Sequence, residues 1–109
     1  MAKNLILSGG VAHDYTTTSP LVREILSEKG ISSEISTKID PIEDGSLNQY
    51  DMLTLNCIRW TCSQPEVPDK WRKEWTSHLS ETARENLQSF LDQGKGLLAL
   101  HAATICFDD

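Results

Sequence analysis

Three short apolar segments, each stopped by a glycine or a polar residue, most constrain what this chain can fold into. They span residues 4–7, 52–55 and 96–100, and a more exposed segment near residues 34–37 alternates apolar and polar side chains. Short apolar runs are typical of strands buried on both faces, as parallel sheets require. Helical patterns separate these runs along the chain. The alternation of strands and helices therefore predicts a parallel α/β sheet with right-handed crossovers.

The first predicted helix begins at Ser19 and Pro20. A serine N-cap followed by proline is a common helix start, because the missing N–H of proline has no partner in the first turn. Gly30 is the expected left-handed end of this helix. Its apolar stripe consists of Leu21, Val22, Ile25 and Leu26. Residues 11–18 are accordingly predicted to form a polar loop after the first strand.

The second predicted helix spans residues 82–93, where Thr82 and Glu85 form a capping box and Gly94 ends the last turn. Its apolar face consists of Ala83, Leu87, Phe90 and Leu91. Residues 40–51 carry four acidic side chains and are predicted to be a solvent loop.

Residues 57–80 are the irregular part of the chain. Trp71, Trp75 and Leu79 lie at helical spacing, which predicts a short amphipathic helix. Packing of these tryptophans on the sheet edge is favoured over a role as an aromatic wall beside a ligand.

The charge balance argues against polyanionic partners. The 109 residues contain 10 Lys plus Arg and 16 Asp plus Glu, for a formal net charge of −6. A negative surface repels nucleic-acid phosphates and anionic lipid, so neither a nucleic acid nor a membrane is an expected partner.

The expected compartment is the cytoplasm. No apolar run approaches the roughly 20 residues of a membrane span, and the start of the chain is too short in apolar residues for a secretory signal. The cysteines Cys57, Cys62 and Cys106 are odd in number and lack zinc-type spacing. We expect them to be reduced, and Cys57 and Cys106 are interpreted as small buried hydrophobic residues in preference to catalytic thiols.

Polar residues follow three of the predicted strands, at the edge where open α/β sheets bind ligands. His13 and Asp14 follow the first strand, Asn56 ends the third, and His101 follows the fourth. We expect His13, Asp14 and His101 to converge there. His13 and Asp14 could act as a base beside a carboxylate, serve as metal ligands, or be a surface pair without a role.

Other site motifs are weak or absent. Gly9 and Gly10 would let backbone N–H groups approach a ligand, although a tight turn explains such a pair equally well. The chain lacks both the dinucleotide-binding G-x-G-x-x-G pattern and a P-loop. No cofactor is therefore assigned, and whether a metal binds stays open.

The end of the chain suggests an incomplete sheet. The sequence stops where a turn after the fourth strand should open a helix, so apolar sheet surface would remain uncovered. Two explanations are open: the chain is part of a longer domain, or it pairs with another copy or another chain.

Three blocks of sequence resemble the ThuA-like (trehalose utilisation) family. They are LILSGG with HDY (residues 5–10 and 13–15), YDMLTLNCIRW (50–60) and GKGLLALHAATICFDD (94–109). The likeness covers essentially the whole chain, and the last block is the most specific. It implies that residues 1–109 are the N-terminal part of a ThuA-like domain. The implied fold is that of the class I glutamine amidotransferase-like superfamily, with a flavodoxin-like parallel sheet and flanking helices.

The resemblance also implies a function. ThuA-like proteins are linked to the catabolism of trehalose and related disaccharides beside oxidoreductases that make 3-keto sugars. The implied role is to bind or convert a small-molecule (keto-)sugar, for instance by isomerisation. His101 occupies the elbow position where amidotransferases have a nucleophilic cysteine, so glutamine hydrolysis is not expected.

The residues matched to these blocks supply the expected site. His101 and His13 would shuttle protons, with Asp14 orienting an imidazole. The expected substrate-binding residues are Gly9, Gly10, Tyr15, Asn56, Arg59, Trp60, Ala102 and Thr104. Two alternatives are an amidotransferase-like domain that binds a ligand or partner without catalysis, and a metal-dependent hydrolase using His13, Asp14 and His101.

Overall fold

A computed structural model describes residues 1–108 and shows a four-stranded sheet with helices on both faces. The elements in chain order are β1 (Ala2–Gly9), α1 (Tyr15–Glu28), β2 (Ile31–Ser36), α2 (Asp40–Glu43), a 3₁₀ helix (Ser46–Gln49), β3 (Met52–Cys57), α3 (Asp69–Trp75), α4 (Glu81–Asp92), β4 (Gly96–Ala99) and a second 3₁₀ helix (His101–Ile105).

The strands lie in the order β2-β1-β3-β4, and every neighbouring pair is parallel. Leu5 is in register with Leu53, and Leu53 with Leu97. This is the strand order of flavodoxin-like sheets. The predicted α/β class and parallel sheet are confirmed.

The two faces of the sheet differ in chemistry. The face under α2 and α4 is apolar and is built from Leu5, Leu7, Leu53, Leu55 and Cys57 packed with Ile42, Leu47, Ala83 and Phe90. The face under α1 buries polar side chains beside Ile6, namely Asn4, Ser8, Thr54 and Asn56. These polar groups are hydrogen-bonded to one another or to neighbouring elements, for example Thr54 Oγ1 to Asn4 Oδ1 at 3.0 Å. Buried polar groups need such partners, because an unsatisfied one costs about 1–3 kcal/mol.

Helix α1 begins earlier than predicted. Asp14 is its N-cap: the carboxylate accepts hydrogen bonds from the main-chain N–H of Thr17 at 3.2 Å and from its hydroxyl at 2.7 Å. Ser19 and Pro20 consequently lie inside the helix, and the prediction that they start it is wrong. Aspartate caps a helix as well as serine does, and here Ser19 is drawn into a buried hydrogen bond with Ser8.

The predicted solvent loop over residues 40–51 is also wrong. This segment forms α2 and the first 3₁₀ helix, and it buries Ile42 and Leu47 against the apolar face of the sheet. The acidic side chains that suggested a loop do not prevent burial, because apolar residues alternate with them.

Two other predicted elements shift at their ends. Helix α4 is capped by Ser80, whose hydroxyl accepts from the N–H of Ala83 at 3.0 Å, instead of by Thr82. Helix α3 ends at Trp75, so Leu79 lies outside it. Trp71 and Trp75 pack on a second cluster formed by Val11, Tyr15, Ile58, Trp60 and Cys62, which agrees with the packing interpretation of these tryptophans.

Part of the apolar surface stays exposed. Leu97 in β4 is 48% exposed, and Leu21 and Ile25 in α1 are 52% and 59% exposed. Incomplete cover over the sheet was expected from the sequence. Within residues 1–108, no helix has the length and apolar character needed to cross a membrane.

Tyr50 provides a test of how this fold responds to pH. Its buried phenol donates a hydrogen bond to Glu34, and burial together with that bond raises its pKa to about 12. We expect Tyr50→Phe to lower the free energy of unfolding by about 1 kcal/mol at neutral pH. A raised pKa favours the protonated form in the fold, so the contribution is complete below pH 10 and is lost as the pH rises toward 12. Urea denaturation of both proteins across this range measures the difference, and a difference independent of pH would contradict the assignment.

Candidate functional site

The candidate site lies where β1, β3 and β4 end. The chain leaves β1 toward β2 on one side of the sheet, whereas β3 pairs with β1 on the other. Such a switch point opens a crevice at the carboxyl ends of the strands. A cavity of 160 Å³ lies there. Its lining residues are His13, Tyr15, Thr18, Asn56, Leu100 and His101.

Two imidazoles from distant parts of the chain meet at this cavity. The ring centroids of His13 and His101 are 4.9 Å apart, with an angle of 84° between the ring planes. The ring of Tyr15 lies 5.8 Å from that of His13. Both histidines are exposed to solvent, and Tyr15 is buried. The predicted convergence of His13 and His101 is thus present in the structure.

His101 stands on a sharp turn. Its φ is 51°, in the left-handed region that non-glycine residues rarely occupy, although histidine enters it more often than most. The turn arises because the Leu100 N–H still bonds to Leu55 in β3 at 3.0 Å, while the Leu100 carbonyl already accepts from Ala103. Strained positions of this kind cost about 1–3 kcal/mol and concentrate at functional sites.

A buried polar network forms the base of the site. The hydroxyls of Ser8 and Ser19 are 2.6 Å apart, and the Asn56 side-chain amide donates to Ser19 at 2.9 Å and to Thr18 at 3.0 Å. Within the described residues the Oδ1 atom of Asn56 accepts no hydrogen bond, which leaves it available to a ligand hydroxyl. The sequence prediction included Asn56 and missed Thr18 and Leu100 as lining residues.

Tyr15 adds a neutral hydroxyl to the site. Burial, with a smaller contribution from the nearby Cys57 and Cys106 sulfurs, raises the pKa of its phenol. Tyr15 therefore stays protonated at neutral pH.

Asp14 lies at the start of α1 as its N-cap. Both of its carboxylate oxygens accept hydrogen bonds from Thr17 at the start of α1. The carboxylate thus caps the helix, and its orientation of an imidazole stays a prediction.

Gly9 and Gly10 lie in close contact with the segment that follows β3. The Gly9 carbonyl accepts from the N–H of Ile58 at 3.0 Å, and a Cβ at Gly10 would lie 2.9 Å from main-chain atoms of Ile58. These close approaches continue the contact between β1 and β3 beyond the sheet. The approach to Ile58 explains Gly10 without a ligand; Gly9 has a φ of 110°, and a Cβ there would lie 3.0 Å from the Arg59 guanidinium.

Arg59 and Trp60 lie outside the lining of the cavity. The Arg59 guanidinium donates to the main-chain carbonyls of Ser8 and Thr37 and lies 5.0 Å from the ring of Trp75. Trp60 is 6% exposed, and its ring nitrogen donates to Gln64 at 2.8 Å. Its faces are therefore committed to packing in the second cluster.

Ala102 and Thr104 belong to the turn after His101. Ala102 packs against the second cluster, and the exposed Thr104 places its hydroxyl 3.4 Å from the His101 carbonyl oxygen. They shape the turn that presents His101. Cys106 comes directly after the short 3₁₀ helix that begins at His101.

The described residues offer no metal-binding group. Within residues 1–108, no three His, Cys, Asp or Glu side chains are clustered as a metal site would require.

The fold and site define a parallel α/β protein with a two-histidine cleft at its topological switch point. No protein-family model, curated protein or solved structure matches this chain. The likeness to ThuA-like proteins thus remains a prediction.

Proposed function

We propose that this chain binds a keto-sugar at the two-histidine cleft and transfers protons beside its carbonyl group, as a ThuA-like protein of disaccharide utilisation would. The observation that carries the proposal is the pairing of His13 and His101 at 4.9 Å, with His101 held on a strained turn at the ligand edge of the sheet. Two imidazoles at this separation can serve as base and acid on neighbouring atoms of one substrate.

The proposed chemistry is an isomerisation. One imidazole removes a proton from the hydroxyl-bearing carbon next to the carbonyl, and the other protonates the carbonyl oxygen. Return of a proton to the former carbonyl carbon, with transfer of the proton of the neighbouring enediol hydroxyl back to an imidazole, then moves the carbonyl by one position. Asn56 Oδ1 would accept from a sugar hydroxyl, and the protonated Tyr15 phenol is a second polar group in the lining.

The size of the cavity limits how a disaccharide could bind. Its 160 Å³ is well below the roughly 300–1,000 Å³ of typical small-molecule pockets. The cavity would hold the carbonyl end of one ring. The rest of the sugar would lie outside, over the exposed imidazoles.

Hydrogen exchange with solvent tests the chemistry directly. The full chain is incubated in D₂O with a 3-keto derivative of trehalose, and deuterium next to the carbonyl is followed by NMR and mass spectrometry. We expect exchange above the buffer blank, unaffected by EDTA, and none with trehalose itself, which has no ketone.

A second candidate function is binding without catalysis. Within the described residues neither His13 nor His101 has a hydrogen bond from its ring to another side chain, whereas catalytic histidines are generally oriented by one. Keto-sugar-dependent shifts of the His13 and His101 NMR signals without deuterium exchange would favour this candidate. Absence of both effects would overturn a sugar site altogether.

We extend the proposal to compartment and assembly. The three cysteines are free, as a reducing cytoplasm would keep them.

The proposed assembly is a homo-oligomer formed by pairing of two copies along β4. This strand lies at one end of the strand order, and its Leu97 is exposed. Light scattering over a concentration series tests the assembly, and a constant monomer mass would contradict it.

A further inference from the structure

Two of the three cysteines lie in contact at the end of the sheet. The sulfur atoms of Cys57, the last residue of β3, and Cys106, which follows the second 3₁₀ helix, are 3.7 Å apart. Neither is part of the cavity lining. The third cysteine, Cys62, is buried elsewhere, with its sulfur 3.8 Å from the Trp60 carbonyl.

The two sulfurs differ in access and in environment. Cys57 is completely buried, whereas Cys106 is partly exposed. The Cys106 sulfur lies 3.3 Å from the main-chain N–H of Arg59, which donates to it. The hydrogen bond between the two thiols, together with the N–H and guanidinium of Arg59, lowers the pKa of Cys106. The hydrogen bond to Cys106 and burial raise the pKa of Cys57.

We propose that Cys57 and Cys106 are a redox modification site that closes to a reversible disulfide when a hydroperoxide reaches Cys106. The step depends on an exposed sulfur that reacts first and a buried sulfur already in contact with it. Side-chain rotation must bring the sulfurs from 3.7 Å to the bond length of about 2.05 Å. This proposal is independent of the proposed sugar chemistry.

The reaction balances with hydrogen peroxide as the oxidant. The Cys106 sulfur attacks one peroxide oxygen, the O–O bond breaks, and the departing oxygen leaves as water while Cys106 becomes a sulfenic acid. The Cys57 sulfur then attacks the Cys106 sulfur. The S–S bond forms, the S–O bond breaks, and the hydroxyl leaves as a second water with the Cys57 proton. Two thiols are oxidised and one peroxide is reduced to two waters.

The bridge would join the end of β3 to the segment that follows the His101 turn. Cys57 is adjacent to Asn56, and Cys106 follows the 3₁₀ helix that begins at His101. Oxidation would thereby hold this turn against the sheet.

Peptide mapping of the wild-type chain tests the proposal without relying on a variant. Trypsin separates the cysteines into peptides 39–59, 60–70 and 96–109, with Cys57, Cys62 and Cys106 in that order. The reduced full chain is treated with one equivalent of hydrogen peroxide, alkylated after unfolding and digested without reductant. We expect peptides 39–59 and 96–109 to be linked, Cys62 to be alkylated, and dithiothreitol to restore all three thiols.

Variants resolve the order of the two steps. Cys57→Ser should stop at a Cys106 sulfenic acid that dimedone traps, whereas Cys62→Ser should form the bridge as the wild type does. The proposal is overturned if all three wild-type thiols remain alkylatable, if Cys62 is linked in place of either partner, or if the linkage forms only between chains.

Discussion

Replacing His101 is expected to abolish most of the proposed activity. Removing a general acid or base typically lowers a rate by about 10²–10⁴-fold, so His101→Ala should exchange deuterium into a keto-sugar at close to the buffer rate. The reason is geometric, since His101 is the ring that the turn after β4 places 4.9 Å from His13. The measurement is the D₂O exchange rate with saturating keto-sugar.

The backbone of the turn needs its own control. His101 has a φ of 51°, which alanine tolerates poorly and asparagine tolerates well. His101→Asn removes the imidazole while keeping the turn, so its activity should fall as far as that of His101→Ala. His78→Ala, which removes an exposed histidine between α3 and α4, should leave the rate unchanged. Full exchange by His101→Asn would show that the imidazole has no part in the reaction.

The two central strands of the sheet could be predicted because β1 and β3 are buried on both faces. Residues 5–7 and 53–55 are buried in an unbroken run, so they read as apolar segments without alternation. Helix ends were harder to predict, because several residues near one end can serve as a cap. Asp14 and Ser19 both have capping side chains, but the Ser19 hydroxyl forms buried hydrogen bonds with Ser8 and Asn56, and Asp14 is the cap.

The candidate site could be predicted in part, for a related reason. The rule that ligands bind at strand ends identified His13, Asn56 and His101, since backbone topology alone brings these positions together. It could not tell which way the chain turns beyond the strands. Arg59 and Trp60 follow β3 by two and three residues, yet they pack toward Trp75 and the second cluster. Thr18 was missed because it lies in the first turn of α1, which was expected to begin only after it.

Replacing Gly10 with alanine is expected to have the largest effect on stability. Gly10 has a φ of 140°, which is essentially restricted to glycine, and an added Cβ would lie 2.9 Å from both the nitrogen and the carbonyl oxygen of Ile58. Those atoms are main chain and belong to the contact between the ends of β1 and β3, so they cannot rotate away. We expect Gly10→Ala to lower the free energy of unfolding by about 3 kcal/mol or more. That is a large part of the roughly 5–15 kcal/mol that stabilises a typical domain.

Gly30→Ala is the matched control for that loss. Gly30 also has a positive φ, of 80°, but nothing lies within 4 Å of the position its Cβ would take. In Gly30→Ala we expect the free energy of unfolding to fall by about 1–2 kcal/mol, because only the left-handed backbone is unfavourable for alanine. Urea denaturation of the wild type and both variants measures the difference, and the excess loss in Gly10→Ala reports the close approach of β1 to β3 together with the less tolerated φ of Gly10. Equal losses in both variants would mean that the close approach of Gly10 to Ile58 contributes nothing to stability.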